Sequence, residues 1–433
     1  MTVRVVEPAA SLQGGLVVSA VKGLCQRAVL LAAIADGEST IRGFGHMADT
    51  DVAITALRGL GVRIDEPSPG SLHVHGVGLR GLQESEQPFD CMNAGTLLRL
   101  AAGVLAGQEG KRFTLVGDES LSRRPHERVA IPLRQMGAKI ETTDGSAPVH
   151  VEGAALQPIS YALPVASAQV KSAILLAGLY AESGPTTVIE PAVTRDHTER
   201  ILTHLGVRVS RSANEISVWP VERIAPFDVR IAGDFSSAAP FLVAATLASG
   251  SELRIHDVNL NPTRTGFLDV LNRMGARITV YNRRNESGEP VADLEVRSAE
   301  LTATEIRPEE VPNLVDELPL FALVATMARG ESVVRGAEEL RAKETDRIET
   351  TVDSLRALGA HITSREDGFV VRGVPTRLEG GRMHARGDHR IAMLGAVAGV
   401  LSRTGVRVED PECVAVSFPD FFELLDSVTV VET

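Results

Sequence analysis

The feature that most constrains the fold of this chain is an internal repeat. A helix-like pattern rich in Ala and Leu, then a glycine, then an alternating β-like stretch occurs six times. The segments are CQRAVLLAAIADGESTIRG, AGTLLRLAAGVLAGQEGKRFTLVG, SAQVKSAILLAGLYAESGPTTVIE, SSAAPFLVAATLASGSELRIHD, LPLFALVATMARGESVVRG and HRIAMLGAVAGVLSRTGVRVED. Their glycines are Gly37, Gly110, Gly184, Gly250, Gly330 and Gly405. Self-similarity of this kind indicates one supersecondary unit used repeatedly.

A second pattern lies between these segments. Its copies are LRGLGVRI, LRQMGAKI, LTHLGVRV, LNRMGARI and LRALGAHI, with glycines at Gly61, Gly137, Gly206, Gly275 and Gly359, and a weaker sixth copy is FFELLDSVTVV. Each predicts an amphipathic helix that ends at a glycine in the left-handed conformation and is followed by a strand. The first helix of each unit is apolar on all sides and therefore predicted to be buried, and the second is predicted to be an outer helix.

The spacing of the repeats predicts two domains. Successive glycines are 66 residues apart from Gly184 to Gly250 and 80 apart from Gly250 to Gly330, which is too long for a solenoid repeat. Six units in 433 residues divide as three and three. We expect a first lobe over residues 20–231 and a second lobe over residues 1–19 and 232–433, closed by an N-terminal strand within residues 2–7.

Composition excludes several classes of function. The chain has 44 Lys and Arg against 56 Asp and Glu, a net charge of −12, and only 4% aromatic residues, which disfavours nucleic-acid binding. Its three cysteines form no Cys-x-x-Cys pair, which favours a reducing compartment and gives no support for structural zinc. The N-terminus lacks a signal-peptide profile and the apolar runs are too short for a membrane span. We therefore expect a cytoplasmic protein that binds neither nucleic acid nor a membrane.

Candidate functional residues lie at the predicted starts of the buried helices. The sequence contains no Walker-type loop, no Gly-x-Gly-x-x-Gly and no Gly-x-Ser-x-Gly. Cations and small polar residues instead occupy corresponding points of the repeats: Lys22 and Arg27, Asn93 to Thr96, Ser167 to Gln169, Ser236 and Ser237, Asp316 and Glu317, and His389 and Arg390. Helix N-termini with small residues and nearby cations favour anions, so the pattern predicts a polyanionic ligand.

Nine segments together resemble the EPSP synthases (5-enolpyruvylshikimate-3-phosphate synthases) of the enolpyruvyl transferase family. They are NAGTLLRL (93–100), GDESLSRRP (117–125), ASAQVKSAILLAGL (166–179), TRDHTERIL (194–202), GDFSSAAPFLVAA (233–245), VDELPLFA (315–322), LRAKETDRI (340–348), GDHRIAM (387–393) and SFPDFF (417–422). The resemblance implies a two-domain inside-out α/β barrel, with three βαβαββ repeats per domain and the active site in the interdomain cleft. The implied reaction transfers the enolpyruvyl group of phosphoenolpyruvate to the 5-hydroxyl of shikimate 3-phosphate and releases phosphate.

The resemblance also assigns roles to single residues. The implied catalytic residues are Lys22, Asp316, Glu344 and His389. The implied phosphoenolpyruvate site comprises Lys22, Gly95, Arg124, Gln169, Arg347 and Arg390. The implied shikimate 3-phosphate site comprises Lys22, Gly23, Arg27, Ser167, Ala168, Gln169, Arg195, Asp316 and Lys343. Asp316 is the implied base and Glu344 the implied proton donor, although the assignment of the two carboxylates stays open. No metal or cofactor is implied, because the two substrates bring all the reacting atoms, and we expect a monomer.

The sequence departs from the family pattern in the first motif. The family usually has Asp-Lys-Ser and then Ser-His-Arg, and this chain has Val21-Lys22-Gly23 and then Cys25-Gln26-Arg27. Loss of the serine hydroxyl removes a donor to the acceptor carboxylate, worth about 1 kcal/mol if nothing replaces it. This leaves two alternatives open: an enolpyruvyl transferase with another anionic acceptor, or a non-catalytic ligand-binding paralogue. Retention of an acid, a base and the cations disfavours the paralogue.

The resemblance predicts inhibition by glyphosate, an inhibitor of this family. Gly95 leaves room for the inhibitor where resistant relatives carry a methyl group. We expect phosphate release to fall as glyphosate is added at a low concentration of phosphoenolpyruvate. Full activity in excess glyphosate under that condition would contradict the prediction.

Overall fold

The structure divides into two compact units. The computed structural model describes residues 2–431. The predicted second lobe also includes Met1, Glu432 and Thr433, which lie outside the described residues. The first unit comprises residues 20–231 and 285–289, and the second comprises residues 2–19, 232–284 and 290–431. Each unit has its own cluster of buried apolar side chains. The predicted α/β class is confirmed, since helices and strands alternate along the described chain.

Residues 2–431 contain 13 α-helices and 24 strands. The helices are α1 (Lys22–Ala33), α2 (Ala48–Gly59), α3 (Gly95–Ala106), α4 (Glu119–Ser122), α5 (Glu127–Gln135), α6 (Ala168–Gly178), α7 (His197–His204), α8 (Phe235–Leu247), α9 (Gly266–Met274), α10 (Leu318–Met327), α11 (Arg347–Ala357), α12 (His389–Val400) and α13 (Phe421–Val428). Short 3-10 helices span Val311–Asn313, Val315–Glu317, Glu338–Ala342 and Pro411–Val416.

The strands are β1 (Val3–Val6), β2 (Ala9–Val17), β3 (Asp36–Arg42), β4 (Arg63–Ser68), β5 (Ser71–Val77), β6 (Phe89–Asp90), β7 (Arg112–Val116), β8 (Lys139–Thr143), β9 (Ser146–Glu152), β10 (Ser160–Ala162), β11 (Thr186–Ile189), β12 (Val209–Ser212), β13 (Glu215–Val218), β14 (Asp228–Arg230), β15 (Glu252–Asn259), β16 (Arg277–Glu286), β17 (Glu289–Arg297), β18 (Glu305–Ile306), β19 (Gly330–Val334), β20 (Ile362–Arg365), β21 (Gly368–Gly373), β22 (Gly381–His384), β23 (Val406–Glu409) and β24 (Thr429–Val431).

The sheets repeat one topology. Four sheets have the strand orders β14-β3-β5-β4, β6-β7-β9-β8, β10-β11-β13-β12 and β18-β19-β21-β20. In each of them the first pair is parallel and the next two pairs are antiparallel. The fifth sheet, β16-β17-β15-β2-β24, has an added edge strand. In the sixth, β22 pairs parallel with β23, and β1 pairs antiparallel with β23 in the register Val3 to Glu409.

One helix of each repeat is buried on all sides, as predicted. These helices are α1, α3 and α6 in the first unit and α8, α10 and α12 in the second. In α3, Thr96 is the only residue that is not buried. The other long helix of each repeat buries one face: α9, for example, buries Phe267, Leu268, Val270, Leu271 and Met274 and exposes Asp269. Burial of each large apolar side chain contributes about 1.5–3 kcal/mol, so the helix that gains most lies inside.

The predicted left-handed glycines are also confirmed. The φ angles are +88° at Gly61, +111° at Gly137, +80° at Gly206, +101° at Gly275 and +96° at Gly359. An L-residue in this region brings its Cβ close to a carbonyl oxygen, and glycine has no Cβ. Each glycine therefore ends the outer helix and turns the chain into the next strand. No helix within residues 2–431 is both long and apolar enough to cross a membrane.

We predict that Gly206→Ala lowers the free energy of unfolding by about 1–2 kcal/mol, because its φ is left-handed. A Cβ at Gly206 would meet no atom within 4 Å, so the loss reports backbone conformation and not a clash. Gly59→Ala is the matched control: Gly59 is the last residue of α2, its φ is not left-handed, and its Cβ would also meet nothing within 4 Å. Urea unfolding of both variants tests this, and equal midpoints would contradict it.

Candidate active site

The predicted residues of the first unit lie around the N-termini of α1, α3 and α6. Lys22 is the first residue of α1, Gly95 of α3 and Ala168 of α6. Ser167 precedes α6, and its Oγ accepts a hydrogen bond from the backbone N–H of Val170 at 3.4 Å. Unpaired N–H groups and the positive ends of three helix dipoles favour anions at these positions.

Lys22 is held by an acidic residue that the sequence analysis missed. Its Nζ lies 2.6 Å from Oδ2 of Asp49, in the first turn of α2, and the Asp49 side chain is 9% exposed. Gln26 donates a hydrogen bond to the Asp49 carbonyl at 2.8 Å. The pair leaves the Lys22 side chain 29% exposed. The ammonium is therefore oriented and still accessible to a ligand.

Arg27 is buried and receives its support from neighbouring hydroxyls and a carbonyl. Its Nε donates to Thr198 Oγ1 at 2.7 Å and its Nη2 donates to Ser172 Oγ at 3.0 Å. Its Nη1 donates to the Gly23 carbonyl at 2.8 Å. A Cβ at Gly23 would lie 3.2 Å from that same nitrogen. Gly23 therefore contributes a backbone acceptor and close approach where the family usually places a serine.

The start of α3 lies in a cluster of polar contacts. Arg99 donates to the Gln169 Oε1 atom, and Gln169 Nε2 donates to Thr96 Oγ1 at 2.9 Å, so both ends of the Gln169 amide are occupied. Arg124 donates to Asn93 Oδ1 at 3.1 Å. A Cβ at Gly95 would lie 3.2 Å from Arg99 Nη1 and 3.5 Å from Arg124 Nη1. It would also lie 3.2 Å from Leu121 Cδ1, so a side chain at position 95 would press on Arg99 and Leu121, and glycine allows their close approach to the start of α3.

This cluster has an excess of positive charge. Burial, reinforced by the nearby charges of Arg128 and Arg124, lowers the pKa of Arg99 to about 9. Burial, and then the charge of Arg99, lowers the pKa of His126 to about 4. Neighbouring guanidinium groups repel one another, and an anion that binds between them relieves this repulsion. The electrostatics of the first unit therefore favour an anionic ligand.

Arg195 lies in the loop that precedes α7. It is partly exposed and is followed by Asp196, which precedes the helix and pairs with Arg200 through a 2.8 Å contact. The next residue, His197, is buried, and its Nδ1 lies 2.7 Å from Glu289 Oε1. Thr198, three residues after Arg195 in the sequence, contacts Arg27.

Arg347 is the centre of the candidate site in the second unit. It is 2% exposed, and its Nε donates to Asp388 Oδ2 at 2.8 Å while its Nη2 donates to Glu344 Oε2 at 2.6 Å. Burial alone would lower the pKa of Arg347, but Asp388 and Glu344 outweigh burial and raise it. Asp388 also accepts from the backbone N–H of Arg390 at 2.9 Å at the start of α12. One carboxylate therefore positions both arginines.

Asp316 faces the same two arginines. Its Oδ1 lies 3.8 Å from Arg347 Nη1 and its Oδ2 lies 3.9 Å from Arg390 Nη2. The next residue, Glu317, is 2% exposed and accepts a hydrogen bond from Ser236. Burial, and then the negative charge of Asp316, raises the pKa of Glu317, and Arg390 and Arg264 only partly offset this. The structure thus brings Asp316, Glu344, Arg347 and Arg390 together in one unit.

The other two predicted residues of the second unit are Lys343 and His389. Lys343 is half-buried and pairs with Glu339, which is not one of the predicted site residues. His389 is the first residue of α12 and is 7% exposed. Within the described part of the chain, no three His, Cys, Asp or Glu side chains are grouped in a way that could hold a metal ion.

The contacts identify functional residues that sequence reasoning missed. Asp49, Arg99 and Asp388 were not predicted as site residues, and each contacts one that was. Glu317 was noted at the predicted start of a buried helix but was given no role. Two signals were present in the sequence. Arg99 is a cation inside an otherwise apolar helix, and Asp388 occupies the N-cap position before His389 and Arg390.

Comparisons with known proteins identify relatives of this chain along nearly its whole length. The family model described as EPSP synthase (3-phosphoshikimate 1-carboxyvinyltransferase) matches residues 6–425. The 3-phosphoshikimate 1-carboxyvinyltransferase of Acidithiobacillus ferrooxidans is 48% identical over 97% of this chain and 96% of its own length. That of Salinibacter ruber is 46% identical over 99% and 100%. A solved structure of EPSP synthase from Acinetobacter baumannii is 38% identical, with a TM-score of 0.91 over 99% of this chain and 98% of that one.

We predict that Glu317 makes stability depend on pH. Its pKa is raised above the ordinary 4.5, so the folded protein holds the proton more tightly than the unfolded chain does. The stability that Glu317 contributes is therefore present below pH 4.5 and is lost as the pH rises through the folded-state pKa. The isosteric Glu317→Gln variant lacks this ionisation. As the pH rises from 4.5, its free energy of unfolding should therefore increase relative to that of the wild type. Chemical unfolding across pH measures the difference.

The control is Glu300→Gln, at a site that is 80% exposed in the same unit. Parallel curves of the free energy of unfolding against pH for Glu317→Gln and the wild type would contradict the prediction.

Proposed function

The chain belongs to the EPSP synthase family, and we propose that the two clusters described above carry out that family's reaction. The protein is a 3-phosphoshikimate 1-carboxyvinyltransferase. It transfers the enolpyruvyl group of phosphoenolpyruvate to the 5-hydroxyl of shikimate 3-phosphate and releases phosphate, a step of aromatic amino acid biosynthesis. The observation that carries the assignment to these residues is the buried pairing of Arg347 with Asp388 beside Asp316 and Glu344.

The chemistry explains why a site of this composition is needed. A proton added to the methylene carbon of phosphoenolpyruvate leaves the neighbouring carbon cation-like, and the acceptor hydroxyl attacks that carbon and gives up its proton. Phosphate then leaves and a proton is lost from the methyl carbon, which restores the double bond. Both substrates carry a phosphate and a carboxylate, so the site needs an acid, a base and several cations.

For the donor, we assign a set drawn from both clusters, four of whose members are cations: Lys22, Gly95, Arg124, Gln169, Arg347 and Arg390. Arginine suits this role because its planar guanidinium donates two parallel hydrogen bonds to a phosphate or carboxylate. Support comes from Arg99 and Arg124, whose guanidinium groups both border the start of α3 at Gly95. Gly95 is the first residue of α3 and has no side chain between Arg99 and Arg124, so an anion could approach the N–H groups at the start of the helix.

For the acceptor, we assign the set Lys22, Gly23, Arg27, Ser167, Ala168, Gln169, Arg195, Asp316 and Lys343. Arg195 and Ser167 are assigned to the phosphate, Arg27 to the carboxylate and Lys343 to the ring hydroxyls. Support comes from Arg27, whose guanidinium is held by Thr198, Ser172 and the Gly23 carbonyl. These three protein contacts fix the guanidinium before the acceptor binds, although they do not replace the hydrogen bond that the serine usual at position 23 would donate to the carboxylate.

For the proton transfers, we assign Asp316 as the base toward the acceptor hydroxyl and Glu344 as the acid, with His389 beside them. Glu344 pairs with Arg347 at 2.6 Å. An anionic donor bound to Arg347 would compete for that guanidinium and disfavour the ionised form of Glu344. Donor binding would thereby help to protonate the acid that the reaction uses.

The proposal extends to the organisation of the protein. We assign residues 20–231 and residues 1–19 with 232–433 as the two functional lobes of an inside-out α/β barrel, with the substrates bound in an interdomain cleft. We further assign a cytoplasmic monomer. Size-exclusion chromatography with light scattering tests the monomer, and a dimeric mass would contradict it.

We predict that phosphate is released when phosphoenolpyruvate and shikimate 3-phosphate are supplied together, and not with shikimate, UDP-N-acetylglucosamine or no acceptor. Lys22→Met, Asp316→Asn and Glu344→Gln should each lower kcat by about 10²–10⁴-fold, because each removes a charge or proton-transfer group at the reacting atoms. Lys139→Met is the matched control, since Lys139 pairs with Glu152 on the surface and its side chain is 76% exposed. Equal loss in the control, or release with another acceptor, would contradict the assignment.

A further inference from the structure

A buried ion cluster in the first unit takes no part in the reaction as assigned above. Lys171 lies in α6 and is fully buried, with its Nζ 2.9 Å from Glu190 Oε1 and 2.6 Å from Glu199 Oε1. Arg211 lies 3.3 Å from the other Glu190 oxygen. Both carboxylates are nearly excluded from solvent. A fully buried lysine with two carboxylate partners requires an explanation, because charges are costly to bury.

The two carboxylates lie at the two ends of one loop. Glu190 directly follows β11, and Glu199 lies in the first turn of α7. The residues between them include Arg195, which the proposed function assigns to the acceptor phosphate. Thr194, next to Arg195, donates a hydrogen bond to Glu190. A single ammonium thus holds both ends of the segment that presents Arg195.

The same cluster is continuous with the support of Arg27. Thr198 precedes Glu199 and its hydroxyl donates to Ser172 Oγ at 2.7 Å, next to Lys171 in α6. Thr198 and Ser172 are the two hydroxyls that accept from Arg27. Displacement of the start of α7 would therefore move the partners of Arg27 as well as Arg195.

The energetics favour a positioning role over a contribution to stability. Burial raises the pKa of Glu199, and the charge of Lys171 only partly offsets that effect. A buried ion pair of this kind is often no more stable than apolar side chains of the same volume. What the ion cluster provides that apolar side chains would not is a defined geometry for the loop and for the start of α7.

We propose that Lys171 is a positioning residue for acceptor binding, acting through Glu190 and Glu199 on the loop that carries Arg195 and through Thr198 on Arg27. The inference rests on the proposed function, which assigns Arg195 and Arg27 to the acceptor. It predicts an effect on the acceptor and not on the donor, and a weaker discrimination between shikimate 3-phosphate and shikimate.

The test is Glu199→Gln, which keeps the shape of the side chain and removes one of the two carboxylates. The KM for shikimate 3-phosphate should rise about tenfold or more, and the KM for phosphoenolpyruvate should change less than about twofold, because only the acceptor groups are displaced. Calorimetry should show that the ratio of shikimate to shikimate 3-phosphate dissociation constants falls. Equal changes for both substrates, or an unchanged ratio in the folded variant, would overturn the proposal.

A matched control separates positioning from general destabilisation. Gln108 is buried in the same unit beyond the C-terminal end of α3, where it donates to the Leu79 carbonyl at 2.8 Å. Gln108→Leu should lower the thermal midpoint and leave both KM values unchanged. If Glu199→Gln does not fold, Thr194→Val removes a hydroxyl from the same cluster without changing a charge, and the same acceptor-selective loss is expected.

Arg195→Ala distinguishes failure of this inference from failure of the proposed function. If Arg195→Ala weakens the binding of shikimate 3-phosphate and Glu199→Gln does not, the assignment of Arg195 to the acceptor stands and the positioning role of Lys171 is wrong. If Arg195→Ala leaves the affinity for shikimate 3-phosphate unchanged, the proposed acceptor site is itself wrong, and the inference falls with it.

Discussion

A helix that is apolar on every side must be buried on every side, and six such helices impose the architecture of this chain. Three lie in each unit, and the sheets and amphipathic helices cover them. Strands β7 and β9, for example, pair with each other and belong to the same repeat as the buried helix α3. Each repeat therefore supplies both a buried helix and strands of the sheets that cover the core. Lys22, Gly95, Ala168 and His389 are each the first residue of a buried helix, where unpaired N–H groups and the positive end of the helix dipole favour anions.

The second constraint is electrostatic. The protein carries a net charge of −12, yet its proposed substrates are anions. Cations are therefore concentrated at the helix ends and held by internal partners, as Lys22 is held by Asp49 and Arg347 by Asp388. These partners orient the cations before any ligand arrives, which lowers the cost of ordering them on binding. Burial first, and then the charges of Arg128 and Arg124, lower the pKa of Arg99, so these neighbouring cations still repel one another.

Much of this could be predicted from the sequence, and the repeat shows why. The buried and outer helices follow from the spacing of apolar residues, and the ends of the outer helices follow from glycines such as Gly206 and Gly275, whose φ angles are left-handed. The family and its reaction follow from nine motifs in order and are confirmed by the comparisons. The roles assigned to single site residues stay predictions. Asp49 was not predicted, because nothing in its local sequence separates it from an ordinary acidic residue near a helix start.

What the sequence determined by itself is therefore periodic or local: the repeat, the type of each helix, the glycine-ended turns and the positions where cations occur. The tertiary structure alone decided which carboxylate meets which cation. Lys22 and Asp49 are 27 residues apart, Lys171 and Glu190 are 19 apart, and Arg347 and Asp388 are 41 apart, so no local pattern encodes these pairs. The physical reason is that hydrophobic periodicity acts within a helix or strand, whereas an ion pair depends on distance in space, which exists only after the helices have packed.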